Sequence, residues 1–207
     1  MAKFQSTTFG TISGRHGTAV GVTRGGKSIL RVYTRPINPR TEAQQAVRAR
    51  FAFTVQLLNP FRPVFSITLG RGNTGYNKAF RIAYHNAVTL DEGGLSPNWA
   101  GLVLSQGNLM APIYATLTFP ETTIAKIDWD SEVYSNGSPD DIVSIVLYNQ
   151  NTRAMIHINA AGIRSDGTIS FDPPTGWNED NLLIWLYLYN NNSRFSDSIF
   201  LNQQMPV

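Results

Sequence analysis

The chain has 207 residues, enough to bury a core as one large domain or two small ones, and at 15% charged residues it is globular but poor in charge. It contains no cysteine, which excludes disulfides, thiolate metal sites and cysteine nucleophiles. The net charge of +3 hides an asymmetry: residues 1–65 carry ten Lys or Arg against one acid, Glu42, whereas residues 115–207 carry four against eleven. A first part at +9 and a last part at −7 suit either a polyanionic partner or head-to-tail docking of one copy on the next.

The opening "MAKFQSTTFG" has no apolar core of a signal peptide, and no run nears the ~18 apolar residues of a membrane helix. The expected location is therefore cytoplasmic or within a particle assembled there. Residues 18–35 follow as a hairpin. In "SILRVYTR", Ile29, Arg31, Tyr33 and Arg35 alternate with Leu30, Val32 and Thr34, the period of a half-buried strand, and Gly25-Gly26 supply a tight turn. The same stretch, "GVTRGGKS", satisfies the phosphate-loop pattern through Gly21, Gly26, Lys27 and Ser28. A phosphate loop must run into a helix whose amides face the phosphates. Here a β-branched run meets Pro36 instead, so the stretch reads as a hairpin with a cationic tip at Arg24 and Lys27.

After Pro36 and Pro39 the period changes. Thr41 with Gln44 forms a capping box, and Val47, Phe51, Val55 and Leu58 recur at helical spacing before Asn59-Pro60, which predicts a helix over 41–58 with Arg48 and Arg50 beside its apolar stripe. A second helix is expected over 75–88, with Ala79, Ile82, Ala83 and Val88 toward a core. From residue 113 the texture is β, with strands expected at 113–119, 123–130, 142–149, 154–159, 168–172, 182–189 and 198–203. Seven short strands between turn clusters predict an immunoglobulin- or fibronectin-like antiparallel sandwich with Trp129 in its core and Tyr148 or Tyr187 at an inter-sheet corner. The fold class is thus mainly β, α+β overall, divided into a basic region 1–112 and an acidic sandwich 113–207.

In "LLIWLYLY", Leu183, Trp185, Tyr187 and Tyr189 share one face and Leu182, Ile184, Leu186 and Leu188 the other. Both faces are apolar, so one meets the sandwich core and the second is covered by the helical part or by a neighbouring subunit. Trp185, Tyr187 and Tyr189 are therefore candidate interface aromatics, and an open aromatic face would also suit a sugar.

No catalytic, cofactor or metal site emerges. His16, His85 and His157 lack metal-ligand spacing, Asp140-Asp141 and Glu179-Asp180 sit in expected turns, and no nucleophile elbow is present. The first part of the chain resembles a family of small proteins from bacteroidete-type bacteria and their phages, known only as a domain of unknown function. Asn38, Pro39, Arg40, Thr41, Gln44, Arg48 and Phe51 match its N-P-[RN]-T-x-x-Q-x-x-x-R-x-x-F segment, and "SDGTISFDPP" and "WLYLYNNNSRFSDSIFL" look like its closing strands. The segment "NPRTEAQQAVRARF" is also similar to segments of phage structural proteins, and the resemblance implies no catalytic residues. The expectation is a non-enzymatic assembly protein, a homo-oligomer in a phage virion or another particle, that docks through Arg24, Lys27, Arg31, Arg48 and Arg50. Nucleic-acid binding by the same cations is the first alternative and carbohydrate binding by the sandwich the second.

Overall fold

Residues 2–3, 13–24, 27–35, 40–121, 124–178 and 180–201 are described by a computed structural model of the chain, and by their packing they fall into two units, Met1–Glu42 and Ala43–Val207. The first unit is a sheet of β1 (Ala2–Lys3), β2 (Gly14–His16), β3 (Ala19–Arg24) and β4 (Lys27–Val32), in the order β1-β4-β3-β2. All its pairings are antiparallel. Arg24 pairs with Lys27, so two residues connect β3 to β4. Ser28 lies in a strand, not at a helix start, which removes the phosphate-loop reading on structural grounds. Gly25, Gly26, Pro36, Asn38, Pro39, Glu179 and residues 202–203, and the side chain of Arg24, lie outside the described residues.

The second unit begins with helices. The capping-box prediction places the first helix well: α1 runs Glu42–Leu58. The proline that ends it also opens the next element. Pro60 lies in the first turn of a 3-10 turn, Asn59–Phe61, and Pro63 in that of α2 (Arg62–Thr68), where a missing N–H costs nothing because that position has no intrahelical acceptor. The third helix, α3 (Asn73–Asn86), buries Ala79 and Ala83 as expected. It approaches α2 closely at Gly75, where a Cβ would collide with the carbonyl oxygens of Phe65 and Gly70. A hairpin of β5 (Val88–Asp91) and β6 (Gly94–Pro97), turning at Glu92-Gly93, leads to a short 3-10 turn at Trp99–Gly101. That hairpin was not anticipated.

The seven anticipated strands come next: β7 (Ala115–Glu121), β8 (Ile124–Trp129), β9 (Ile142–Asn149), β10 (Met155–Ile163), β11 (Thr168–Phe171), β12 (Leu182–Tyr189) and β13 (Ile199–Leu201). They form two antiparallel sheets, β11-β8-β7 and β10-β9-β12-β13. The fourth of these strands, β10, pairs with the third, unlike the antibody constant arrangement in which it joins the sheet of the first, second and fifth. Between the sheets lies one core, in which Leu117, Ala125, Ile127 and Trp129 face Ile145, Leu147, Ile184 and Leu186.

The alternation of β12 decides the rest. Its second face, with Val146 and Tyr148 of β9, packs against Leu58, Phe61, Val64 and Phe65 of the helical segment. The layers are therefore helices, four-stranded sheet, three-stranded sheet. This shared core is why the chain divides at Glu42 and not at residue 112: the helices belong to the sandwich unit. Tyr148 and Tyr187 consequently face helices and loops and do not sit at an inter-sheet corner. Tyr187 Oη lies 2.8 Å from His157 Nε2. Burial pushes the Tyr187 hydroxyl up to about 12, against a hydrogen bond with Ser144, and burial likewise holds the His157 imidazole below its ordinary value.

Candidate docking surface

Residues paired across an antiparallel ladder project to the same side. Arg15 pairs with Val20 and Val20 with Arg31, so three strands place these residues in one row. The next row is Val22 with Ile29, and beyond it Lys27 stands opposite position 24. One face of the first unit thus carries Arg15, Lys27 and Arg31 around Val20, Val22 and Ile29. Arg15 extends its guanidinium over the Tyr33 ring, 4.1 Å from the centroid, while its Nε donates to Gly17 O at 3.1 Å. Arg15, Arg31, Tyr33 and Arg35 frame a shallow groove of about 660 Å³ floored by Val20. No acid precedes Glu42, so nothing in the chain's first 41 residues offsets this charge. Among the described residues of the unit only Gly21 is buried. Among these described residues no apolar side chain is buried, and exposed apolar side chains beside cations have the texture of a contact surface.

The docking cations expected from the sequence separate into two groups. Lys27 and Arg31 are exposed on this face together. Arg24 shares their ladder through its backbone. Arg48 is exposed on α1, beside an apolar groove formed with Ala43, Gln44 and Val47. The first three turns of α1 bury nothing: Val47 and Phe51 of the expected stripe are 58% and 53% exposed, and only its last turns reach the core. Arg50 has a different task. Its Nε donates to Tyr84 O at 3.0 Å and its Nη2 to Val88 O at 3.0 Å, with the guanidinium 5.0 Å from the Tyr84 ring centroid. It ties α1 to the carbonyl end of α3, where a cation is favoured by the helix dipole. Arg50→Met is therefore expected to lower stability by about 1–3 kcal/mol in urea unfolding.

The aromatic candidates are also corrected. Trp185 and Tyr187 are fully buried within the chain, Trp185 against Phe61 at 5.5 Å and Phe200 at 5.1 Å between centroids, so they present no face to a partner. Tyr189 is half-buried and stacks on Phe195 at 5.9 Å. Exposed apolar side chains lie elsewhere in the second unit. Ile113, Tyr114, Val133, Tyr134 and Ile163 are exposed where segments 110–114, 130–141 and 163–167 converge. These segments are knitted around Arg164 and Asp141, both buried: Arg164 Nε and Nη2 each lie 3.2 Å from Asp141 Oδ2, and Nη2 also donates to Met110 O at 2.6 Å. Asp141 Oδ2 accepts from Ser138 N at 2.8 Å, Asp130 N donates to Tyr114 O at 3.1 Å, and Trp129 Nε1 donates to Arg164 O at 2.9 Å. Asp141 thus has the structural, hydrogen-bonding role its turn position suggested, in a buried ion pair that the turn position did not reveal.

Around this knot Glu132, Asp140 and Asp166 are exposed. The Tyr134 hydroxyl donates to the Glu132 carboxylate, and this bond, with the nearby charge of Asp130, pushes its pKa up to about 12. The result is an acidic, apolar end of the sandwich, opposite in charge and similar in texture to the basic sheet face. Sequence reasoning missed Arg15, which enters its row only through the β2–β3 pairing. It called the sandwich acidic as a whole without singling out this end, although "SEVYSNGSPDD" shows the mixture of acids and aromatic residue. Among the described residues, no three His, Asp or Glu side chains converge as metal ligands would. No helix among the described residues is long and apolar enough to cross a membrane. No curated protein matches the sequence. The profile of a family of unknown function, DUF6266, matches residues 11–202, nearly the whole length, and the chain belongs to that family.

Proposed function

We propose that the protein is a non-enzymatic assembly subunit whose basic N-terminal sheet docks on the acidic end of the sandwich of another copy. The observation that carries this reading is the sheet face of Arg15, Lys27 and Arg31 around Val20, Val22 and Ile29, in a unit with only Gly21 buried among its described residues. A surface that is both cationic and apolar is matched by one that is acidic and apolar, and the second unit carries one at Glu132, Asp166, Tyr114 and Val133. The contact joins unlike surfaces, so it is heterologous and builds a ring or a filament. This is the geometry of a particle component, in keeping with the likeness of "NPRTEAQQAVRARF" to phage structural segments.

A charge-reversal cycle tests it. Arg31→Glu and Glu132→Arg are each expected to weaken self-association at least about tenfold in sedimentation velocity, and the two variants mixed together to restore it. Failure of the mixture to associate better than either variant alone refutes the pairing. The Arg15–Tyr33 stack beside Arg31 and Arg35 favours one second reading, binding of nucleic acid in the same groove. It predicts a gel shift at low salt that Arg31→Glu abolishes and Glu132→Arg leaves intact.

A further inference from the structure

A depression of about 260 Å³ opens in the second unit where the end of α1 meets β6, the Trp99 turn and the turn between β9 and β10. Phe53, Trp99 and Tyr148 supply its apolar walls, with the Trp99 and Tyr148 rings 5.3 Å apart. Gln56, Gln150 and Arg153 supply its polar groups. The volume lies just under the range of drug-sized pockets, so an occupant is small.

The turn that presents Gln150 and Arg153 is braced from below. Buried Asn149 accepts from Asn151 N and Thr152 N, both at 2.9 Å, through Oδ1, and donates at 3.0 Å to Asn181 Oδ1. Gln150 N donates to Asn181 O at 2.9 Å, and Asn149 N to Ala154 O at 3.0 Å. This bracing holds Arg153 at a φ of +56°, a conformation that glycine adopts without strain. Arg153 and Tyr148 both line the pocket; burial raises the Tyr148 hydroxyl, and the Arg153 charge pulls it back.

We propose that this pocket binds an acidic sugar of monosaccharide size. The aromatic walls suit the C–H faces of a pyranose, the amides of Gln56 and Gln150 each donate to and accept from hydroxyls, and Arg153 presents two parallel N–H groups to a carboxylate. The inference does not depend on self-association. It is tested by titrating the full chain with D-glucuronate, D-glucose and lactate in ligand-observed NMR and calorimetry, beside Arg153→Met and Gln56→Ala. Methionine meets the same backbone demand as arginine, so the melting temperature of Arg153→Met is expected to match that of the unsubstituted chain. D-glucuronate should bind in the millimolar range or tighter, D-glucose and lactate at least about tenfold more weakly, and Arg153→Met should remove that preference. No binding of D-glucuronate at millimolar concentration overturns the proposal. So does binding that Arg153→Met leaves unchanged, or lactate or glucose binding as tightly.

Discussion

Arg164→Met is expected to lower stability by about 3–5 kcal/mol. Arg164 and Asp141 are both buried, and removal of the guanidinium strands a carboxylate where water cannot solvate it. The Met110 carbonyl loses its donor as well. Urea unfolding followed by tryptophan fluorescence reads the loss directly. The pair is not stabilising in itself to the same degree, since Arg164 Nη1 and Asp141 Oδ1 make no hydrogen bond to protein. Arg164→Met combined with Asp141→Asn should therefore recover most of the loss, because the amide oxygen can still accept from Ser138 N and no charge is left buried. An equal loss in the double variant would show that the knot acts through shape and not through charge. The same knot holds Glu132, Tyr114 and Val133 in place, so the single variant should also associate more weakly under conditions where it remains folded.

Trp185→Ala is expected to cost about 3–5 kcal/mol through the cavity it leaves between the four-stranded sheet and the helices. The indole is fully buried and meets Phe61, Trp99 and Phe200, at 5.5, 6.2 and 5.1 Å between ring centroids. Its Nε1 has no hydrogen-bond partner, so Trp185→Phe forfeits no polar contact and should cost less than about 1.5 kcal/mol. The pair of variants separates two ways of covering an apolar sheet face. Cover by the chain's own helices makes the loss independent of protein concentration. Cover by a second subunit would make the midpoint of unfolding rise with concentration in the unsubstituted chain and lose that dependence in Trp185→Ala.

The β half of the fold was legible because its strands are short alternating runs between clusters of turn residues. For β9 and β12 the predicted and observed ends coincide, and the two-faced pattern of β12 already required a third layer. The helices α1 and α3 were legible from their periodicity. What escaped was brief or hidden by prolines: Pro60, which ends α1, opens a 3-10 turn, Pro63 opens α2 directly after it, and β5 and β6 are four residues each. The division of the chain was misplaced because charge and texture change near residue 112, whereas packing changes at Glu42. That Lys27 and Arg31 share one strand face was legible from local alternation. The structural ties of Arg50 were hidden because its acceptors lie 34 and 38 residues away, in the last turn of α3 and at the start of β5. The acidity of the sandwich was legible, but which acids gather at one end was not, because Arg164 draws that end together from partners 23 and 54 residues distant.

Light scattering coupled to size-exclusion chromatography, run over a series of protein and salt concentrations, tests the docking of basic sheet on acidic sandwich most directly. A single chain weighs 22.9 kDa. Head-to-tail docking predicts a mass several times larger at low salt that grows with protein concentration and falls toward that of one chain as salt screens the contact. A mass of 22.9 kDa at every protein concentration in low salt would contradict it.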